Sequence, residues 1–219
     1  MSLLKFNNYT SVDGRIVKAY DLPCEEIDQL NLTYEEEKKK LDTFGHRLAG
    51  RLSSELDFTQ TFQKTKIYKS IVECMNDYIN SLAYFRLLKE HDYKLEITSC
   101  WINDMKEGEY NPPHIHHDGT GYSTVLFLKV PELINDTLHP HKFKDGKLAF
   151  CCINGDGCQW INPEVGHFFI FEARQQHQVM PFRPKKKGDT RRSLSFNFHI
   201  LNPVEAVAPR FVRSGGKND

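Results

Sequence analysis

The stretch that decides the fold is RRSLSFNFHI, residues 191–200. Its side chains alternate between an apolar and a polar face, which is the pattern of a β-strand. The apolar face comprises Leu194, Phe196, Phe198 and Ile200, together with Arg192. The polar face comprises Arg191, Ser193, Ser195 and Asn197. A polar face normally meets water, but in a small barrel that holds a polar ligand it can point inward while helices cover the apolar face.

Four further β-rich runs precede this strand and are separated by turn residues. They are ITSCWIN (97–103), YSTVLFLKV (122–130), KLAFCCI (147–153) and HFFIFEA (167–173). Strands at this spacing are typical of an antiparallel sandwich or barrel. Residues 131–146, which contain two prolines and a glycine, predict a long surface loop.

The first 95 residues show the sequence pattern of α-helices. Apolar residues recur at three-to-four spacing over residues 34–56 and again over residues 60–89, which predicts amphipathic helices. We therefore predict one β-rich α+β domain over residues 1–203. In it, residues 1–95 are mainly helical support, packed on the outside of a β-sandwich core formed by residues 96–203. Residues 204–219 are interpreted as a tail.

The bulk composition argues against several functional classes. The formal net charge is zero, so electrostatics favour neither nucleic acid nor an anionic membrane as partner. The sequence has no apolar run of about 18 residues, and its N-terminus lacks the features of a signal peptide. The cysteines form no CxxC pair, which favours reduced thiols and a cytoplasmic protein.

A histidine cluster occurs in NPPHIHHDG, residues 111–119. Side chains two positions apart on a strand start roughly 7 Å apart and can bind one ion, whereas those four positions apart need a bend to do so. The ligand pair is therefore either His116 with Asp118 or His114 with His116. The first pair fits the two-histidine, one-carboxylate set that holds iron(II) in oxygenases, although Asp118-Gly119 is also a common turn pair.

A third ligand has to come from another part of the chain. His177 follows the apolar run FFIF, where a strand would end, and His167 at the start of that run is the alternative. On the polar face of residues 191–200, Arg191 can bind a carboxylate through two parallel hydrogen bonds, and Ser193 adds a hydroxyl. The other interpretation of Arg191 is a solvated basic patch shared with neighbouring lysines.

In their order, these residues resemble the iron(II)/2-oxoglutarate-dependent oxygenases, and in particular the small prolyl-4-hydroxylase-like members found in phages and bacteria. The resemblance extends over roughly residues 97–200. It rests on the order H-x-D, His177 and R-x-S, and on the stretches WIN (101–103), GEYNPPHIH (108–116), YSTVLFLKVP (122–131), PEVGHFFIF (163–171) and RRSLSFN (191–197).

The resemblance implies a fold and a set of site residues. The fold is a double-stranded β-helix, a jelly roll similar to the cupins. The implied iron ligands are His116, Asp118 and His177, with His114 as an alternate because of its spacing from Gly108. The implied 2-oxoglutarate contacts are Arg191, Ser193, Asn103 and Tyr122. Arg192 competes with Arg191 for this role, and the R-x-S match favours Arg191.

The implied activity is hydroxylation of a peptidyl or small-molecule substrate with iron(II), dioxygen and 2-oxoglutarate. Succinate and carbon dioxide would be released, with ascorbate as an optional reductant. No nucleic acid or membrane partner is expected, and the expected compartment is the cytoplasm, that of a bacterial host if a phage encodes the protein. Two alternatives stay open: a cupin-like metal enzyme that does not use 2-oxoglutarate, and a non-catalytic jelly-roll binding protein.

Overall fold

The computed structural model describes residues 6–12, 14–82, 93–116, 119–134, 144–152 and 157–201. The strands in these residues are β1 (Phe6–Val12), β2 (Arg15–Asp21), β3 (Glu55–Asp57), β4 (Lys94–Met105), β5 (Asn111–His114), β6 (Tyr122–Lys129), β7 (Leu148–Cys151), β8 (Cys158–Ile161), β9 (His167–Glu172), β10 (His177–Val179) and β11 (Arg191–Leu201). The helices are α1 (Cys24–Glu37), α2 (Thr59–Phe62) and α3 (Ile67–Ser81), and a 3-10 turn spans Gly45–Arg47.

The strands form two antiparallel sheets. The large sheet has the order β1-β2-β9-β6-β11-β4-β3, and the small sheet has the order β5-β10-β7-β8. From β4 onward the chain passes back and forth between them, so that β4, β6, β9 and β11 belong to the large sheet and the strands between them to the small one. This winding is that of a jelly roll, or double-stranded β-helix. The predicted fold class is therefore confirmed.

Strand β11 lies inside the large sheet, between β6 and β4, and has the two faces that its sequence predicts. Phe196 and Phe198 are buried on the face that packs against the helices, in a core that includes Ile71 and Tyr34. The opposite face, with Arg191, lines a cavity on the side of the small sheet. The polar face therefore points inward and the apolar face lies under helices, as expected for a barrel with a polar ligand.

Helix α3 confirms the prediction of an amphipathic helix within residues 60–89. Ile67, Ile71 and Met75 are buried against the large sheet, at the three-to-four spacing seen in the sequence. The helix ends at Ser81, and residues 83–92 lie outside the described part of the chain. No helix in the described residues is long and apolar enough to cross a membrane.

The predicted helix over residues 34–56 is wrong. After α1 ends, the chain forms turns, one 3-10 turn and isolated bridges, because some of its backbone groups bond to neighbouring strands and loops instead of continuing a helix. The Phe44 N–H, for example, donates to the Glu55 carbonyl at 2.7 Å. Gly45 and Gly50 also weaken any helix through this segment, since glycine costs about 1 kcal/mol in a helix interior relative to alanine.

Three strands lie in the first 95 residues that were predicted to be mainly helical support. Strands β1 and β2 form a hairpin at Gly14, whose φ of 76° suits a tight turn, and they extend one edge of the large sheet. The Asp-Gly pair at residues 13–14 is a hairpin signal that could have revealed them. Strand β3 forms the other edge. The predicted tail, and residues 135–143 of the predicted loop, fall outside the described residues.

Candidate metal centre and adjoining cavity

Three histidines meet where β5 and β10 lie side by side in the small sheet. His114 ends β5 and is paired directly with His177, the first residue of β10. His116 lies just beyond β5, where its backbone N–H donates to the Ala173 carbonyl at 2.9 Å. One ring nitrogen from each histidine lies within 4.8 Å of the other two. The strand pairing therefore gathers three candidate metal ligands, which we call the histidine cluster.

Backbone carbonyls orient two of these rings. Nδ1 of His114 donates to the Pro112 carbonyl at 2.7 Å, and Nδ1 of His177 donates to the Gln175 carbonyl at 2.9 Å. An imidazole that carries its proton on Nδ1 presents a lone pair at Nε2, and such a second hydrogen bond is typical of metal-binding histidines. The Nε2 atoms of His116 and His177 lie 3.2 Å apart. The rings are thus arranged as ligands around a shared cation would be.

Burial keeps the histidine cluster neutral. Desolvation, with a smaller contribution from His114, lowers the pKa of His116 to about 3. Desolvation also lowers the pKa of His114 and holds that of His177 well below its ordinary value. Since only neutral imidazole can bind a metal ion, the cluster is ready to bind a metal at neutral pH without first losing a proton.

Arg191 is a buried cation without a counter-ion among the described residues. Its residue surface is 3% exposed, and its Nε and Nη2 atoms have no hydrogen-bond partner within the described residues. Nη1 approaches the Met105 sulfur at 3.5 Å, and the guanidinium lies 4.7 Å from the centre of the Phe127 ring. Burial lowers the pKa of Arg191 to about 10, so the side chain still carries its charge at neutral pH.

Asn103 and Ser193 lie beside Arg191 on adjacent strands. They are paired across β4 and β11, and Asn103 Nδ2 donates to Ser193 Oγ at 3.5 Å. The buried Oδ1 atom of Asn103 has no partner among the described residues. These side chains and the histidine cluster line one cavity of about 490 Å³. That volume is within the range of about 300–1,000 Å³ usual for small-molecule sites.

Two other predicted site residues are not in the cavity. Tyr122 faces the helices, with its ring stacked on Phe198 at 5.1 Å and edge-on to Tyr78 at 5.5 Å. We therefore withdraw it as a 2-oxoglutarate contact, because it is on the other side of the large sheet. His167, the alternative to His177, lies near the Asp21 carboxylate at 3.3 Å and away from the histidine cluster. Asp118 lies outside the described residues.

The cavity also contains residues that the sequence did not reveal as site residues. Glu55 and Asn111 line it, as do the stacked rings of Phe44 and Trp101. Asn111 opens the NPPHIH stretch and could have been included with the histidines. Glu55 and Phe44 lie in the segment wrongly predicted as a helix, and nothing in their local sequence places them in a cavity.

A family model described as "Putative 2OG-Fe(II) oxygenase" matches residues 99–197. The matched segment runs from β4 to β11 and includes the histidine cluster and Arg191. This part of the chain therefore matches the iron(II)- and 2-oxoglutarate-dependent oxygenases, which supports the resemblance seen in the sequence. The family description names both iron(II) and 2-oxoglutarate, and this confirms the predicted metal and co-substrate.

Solved structures similar to this chain include several prolyl hydroxylases. A prolyl-4-hydroxylase from Pseudomonas putida has a TM-score of 0.53 at 17% identity, with 84% of this chain and 91% of that chain covered. The viral collagen prolyl hydroxylase of Paramecium bursaria Chlorella virus-1, in its 2-oxoglutarate complex, has a TM-score of 0.55 at 16% identity, covering 86% and 98%.

A third similar structure is a prolyl hydroxylase from Trichoplax adhaerens in complex with a peptide fragment of hypoxia inducible factor. Its TM-score is 0.55 at 13% identity, with 85% of this chain and 83% of that chain covered. At these identities the likeness shows the fold. No curated protein matches this chain.

The residues of the cavity fit both groups that the matching family description names. Three neutral imidazoles with converging nitrogens suit a divalent first-row metal such as iron(II). A buried guanidinium whose Nε and Nη2 atoms lack partners within the described residues suits one carboxylate of 2-oxoglutarate. The fit therefore rests on unsatisfied groups of this structure as well as on the family match.

Proposed function

We propose that the oxygenase couples oxidation of an organic substrate to the breakdown of 2-oxoglutarate. In this reaction, dioxygen, 2-oxoglutarate and a substrate C–H bond give succinate, carbon dioxide and a hydroxylated substrate. One atom of dioxygen enters succinate and the other enters the substrate. The observation that carries the proposal is the buried guanidinium of Arg191, which has no ion-pair partner within the described residues and lies in the same cavity as the histidine cluster.

We assign the metal to His114, His116 and His177. Their ring nitrogens lie within 4.8 Å of one another, and burial keeps all three rings neutral. This set replaces Asp118, the carboxylate ligand expected from the sequence, by His114, the alternate. Bound iron(II) would supply the dioxygen chemistry that protein side chains lack.

Arg191 holds the far carboxylate of 2-oxoglutarate in this proposal. Its unpartnered atoms, Nε and Nη2, form one edge of the planar guanidinium, which is the edge that can meet both oxygens of a carboxylate. The bond is charge-assisted and buried, so it is stronger than an exposed one. Ser193 and Asn103 supply a hydroxyl and an amide beside it.

Aromatic rings border the histidine cluster and keep water away from it. The Trp101 ring lies 5.8 Å from the His116 ring, and the Phe171 ring lies edge-on to the His177 ring at 4.8 Å. A dry site strengthens the electrostatic contacts inside it and protects reactive species from water. The fold thus provides both the ligands and the shielding that an oxygenase requires.

The proposed substrate is a peptidyl side chain or a small molecule, and the proposed reaction type is hydroxylation. Support comes from the similar structures, since each of the three described above is a prolyl hydroxylase and one of them contains a bound peptide. A cavity lined by both polar and aromatic groups suits such a substrate.

The proposal is tested by measuring uncoupled turnover, which is the conversion of 2-oxoglutarate to succinate without a second substrate. Purified protein with iron(II), ascorbate and 2-oxoglutarate is expected to release succinate slowly in air, and none without oxygen. 2-Oxoglutarate is also expected to raise the melting temperature of the iron-loaded protein. The proposal fails if a well-folded, iron-loaded sample neither binds nor converts 2-oxoglutarate. That result would favour a metal enzyme without this co-substrate, while absence of iron binding would favour a non-catalytic jelly roll.

A further inference from the structure

We infer that Glu55, together with Asn111, forms a subsite for a positively charged group of the substrate, an ammonium or a guanidinium. The inference rests on the proposed function, because it assigns one end of the same cavity to the substrate. Both residues line the cavity that contains the histidine cluster and Arg191. The subsite would make an organic cation the preferred substrate class.

Glu55 is a buried acid that has no partner in the part of the chain that the structure describes. Its residue surface is 4% exposed, and its carboxylate makes no hydrogen bond or ion pair within the described part of the chain. Burial, with a smaller contribution from the charge of Glu109, raises the pKa of Glu55 to about 7. A buried carboxylate lowers stability unless it is paired. A ligand that carries N–H donors and positive charge would supply the missing pair.

The acceptor atom of Asn111 adjoins the same carboxylate. A Cβ atom at Gly50 would lie 2.8 Å from Glu55 Oε1 and 2.3 Å from Asn111 Oδ1, so both oxygens border Gly50. The buried Asn111 Oδ1 has no hydrogen-bond partner among the described residues. A Cβ atom at Gly45 would lie 2.9 Å from the second carboxylate oxygen of Glu55. Two glycines therefore leave space around acceptors that lack donors.

This end of the cavity is separate from the proposed 2-oxoglutarate site. Glu55 pairs with Asn103, and Asn103 pairs with Ser193, so the three residues form one row across β3, β4 and β11. With strands about 4.8 Å apart, the backbones of Glu55 and Ser193 are roughly 10 Å apart. Because 2-oxoglutarate is a dianion that Glu55 would repel, Glu55 suits the other ligand of the reaction, the substrate.

Aromatic rings beside the acid also favour an organic cation. Phe44 and Trp101 are stacked, with ring centres 5.3 Å apart, and both line the cavity. Aromatic faces attract ammonium and guanidinium groups, more strongly where water is excluded. The Arg47 guanidinium already lies 5.5 Å from the Phe44 ring, but it is exposed and forms no ion pair with Glu55. The buried carboxylate thus needs a cation from outside the described chain.

The test uses capped amino-acid amides that differ in charge. N-acetyl-arginine amide is compared with N-acetyl-citrulline amide, and N-acetyl-lysine amide with N-acetyl-norleucine amide. Binding to the protein loaded with iron(II) and 2-oxoglutarate is measured by calorimetry without oxygen. Each cation is expected to bind about tenfold more tightly than its neutral counterpart, since a hydrogen bond to a charged group contributes that much.

Two variants test whether Glu55 and Asn111 form the cation subsite. Glu55→Gln keeps the shape and removes the charge, and it is expected to reduce the ratio of affinities to within about twofold. Asn111→Asp adds a second carboxylate and is expected to raise the ratio, which gives an independent gain-of-binding readout. The control Glu164→Gln changes an exposed acid outside the cavity and is expected to retain the wild-type ratio. Near-ultraviolet circular dichroism checks that each variant is folded.

The inference is overturned if wild-type protein binds cationic and neutral amides equally, if it binds none of the four, or if folded Glu55→Gln keeps the wild-type ratio. Binding of 2-oxoglutarate to the iron-loaded wild-type protein is measured first in the same titrations. If that binding is absent, the proposed function fails. If it is present without charge selectivity, only the cation subsite fails.

Discussion

Two adjacent arginines of β11 face opposite sides of the large sheet and have opposite surroundings. Arg192 lies under α1, where Nε donates to Asp104 at 2.7 Å, Nη2 to Glu35 at 2.6 Å and Nη1 to Asn31 at 3.1 Å. Arg191 lies on the cavity side, where no carboxylate of the described residues pairs with it. A fully paired cation stabilises the fold, whereas a buried unpaired one lowers stability and is explained by a ligand.

The same contrast extends over both faces of the sheet. On the helix side, the hydroxyls of Tyr20 and Tyr34 donate to Asp77 and Asp104. On the cavity side, several buried polar atoms have no partner within the described residues. They are Nε and Nη2 of Arg191 and the side-chain oxygens of Asn103, Asn111 and Asn197. Buried polar atoms elsewhere, such as Glu26 Oε2 in α1, also lack a partner within the described residues, but the atoms around the cavity form the largest group. Since native proteins contain few such atoms, this grouping indicates where the ligands bind.

The largest expected effect comes from removing a member of the histidine cluster. His177→Ala is expected to abolish tight iron(II) binding and succinate release, because His177 Nε2 faces His116 at the centre of the cluster. Anaerobic iron titration and the iron-dependent rise in melting temperature are the measurements. His167→Ala, at the start of β9, is the control and should retain both. Tight iron binding by His177→Ala would place the metal elsewhere in the protein.

The second expected effect separates binding from stability at Arg191. Arg191→Met is expected to weaken 2-oxoglutarate binding about 100-fold, because truncating one member of a buried charge pair costs roughly 2–5 kcal/mol. The free energy of unfolding without ligand should not fall, since no partner of Arg191 is left unpaired. Calorimetry and urea denaturation measure the two quantities. Unchanged 2-oxoglutarate affinity would favour the metal enzyme that does not use this co-substrate.

Arg192→Met is expected to lower the free energy of unfolding and to leave 2-oxoglutarate binding unchanged, which is the reverse of Arg191→Met. It leaves Asp104 and Glu35 without their cation, which should lower the free energy of unfolding by about 3 kcal/mol. We take the low end of the usual range, because Glu35 is partly exposed. The folded variant should bind 2-oxoglutarate as the wild type does. If both arginine variants weakened 2-oxoglutarate binding equally, the division of the sheet into a structural face and a ligand face would be wrong.

That division was predictable from the sequence, because β11 is long enough for its alternation to be clear. The order R-x-S and the inward polar face pointed to Arg191 before the fold was known, and the apolar face correctly predicted the helical cover. Strands β4, β6, β7 and β9 were also predicted from their apolar runs. Long, regular elements carry enough residues to show their period.

The short strands that carry the histidines were not predictable in the same way. Strands β5, β8 and β10 have four, four and three residues, which is too few to show a period of two. The pairing of His114 with His177 depends on tertiary contacts and could not be read from either segment. The sequence therefore left the choice between His114 and Asp118 open, although it singled out His116 and His177.

Tyr122 and Glu55 differ in how far their positions can be predicted from the sequence. The position of Tyr122 could have been predicted from strand alternation. Phe127 lies on the cavity side of β6, and Tyr122, an odd number of positions away, therefore lies on the opposite face. The position of Glu55 could not have been predicted. Its surroundings are formed by β4 and by the glycine segment before β3, and the sequence pattern around Glu55 does not show that these elements enclose it. Burial of a lone acid is a property of the assembled fold.

The smallest expected effect is the pH dependence that Glu55 adds to stability. Its pKa of about 7 in the folded protein exceeds the ordinary value of 4.5, so the folded state retains a proton that the unfolded state has released. Stability therefore falls as pH rises between these values, and Glu55 contributes about 2 kcal/mol to that fall between about pH 5 and pH 8. Urea denaturation at several pH values measures it.

Glu55→Gln should remove this contribution, so the variant gains stability relative to the wild type as pH rises over the same interval. A difference between the two proteins that does not change with pH would mean that the Glu55 carboxyl already has a partner. The Glu55 end of the cavity would then contain no unpaired acid, and Arg191 would be the unpaired charge that remains among the described residues of the cavity. A difference that grows with pH would instead show that the Glu55 carboxyl, like the Arg191 guanidinium, is buried in the cavity without a partner among the described residues.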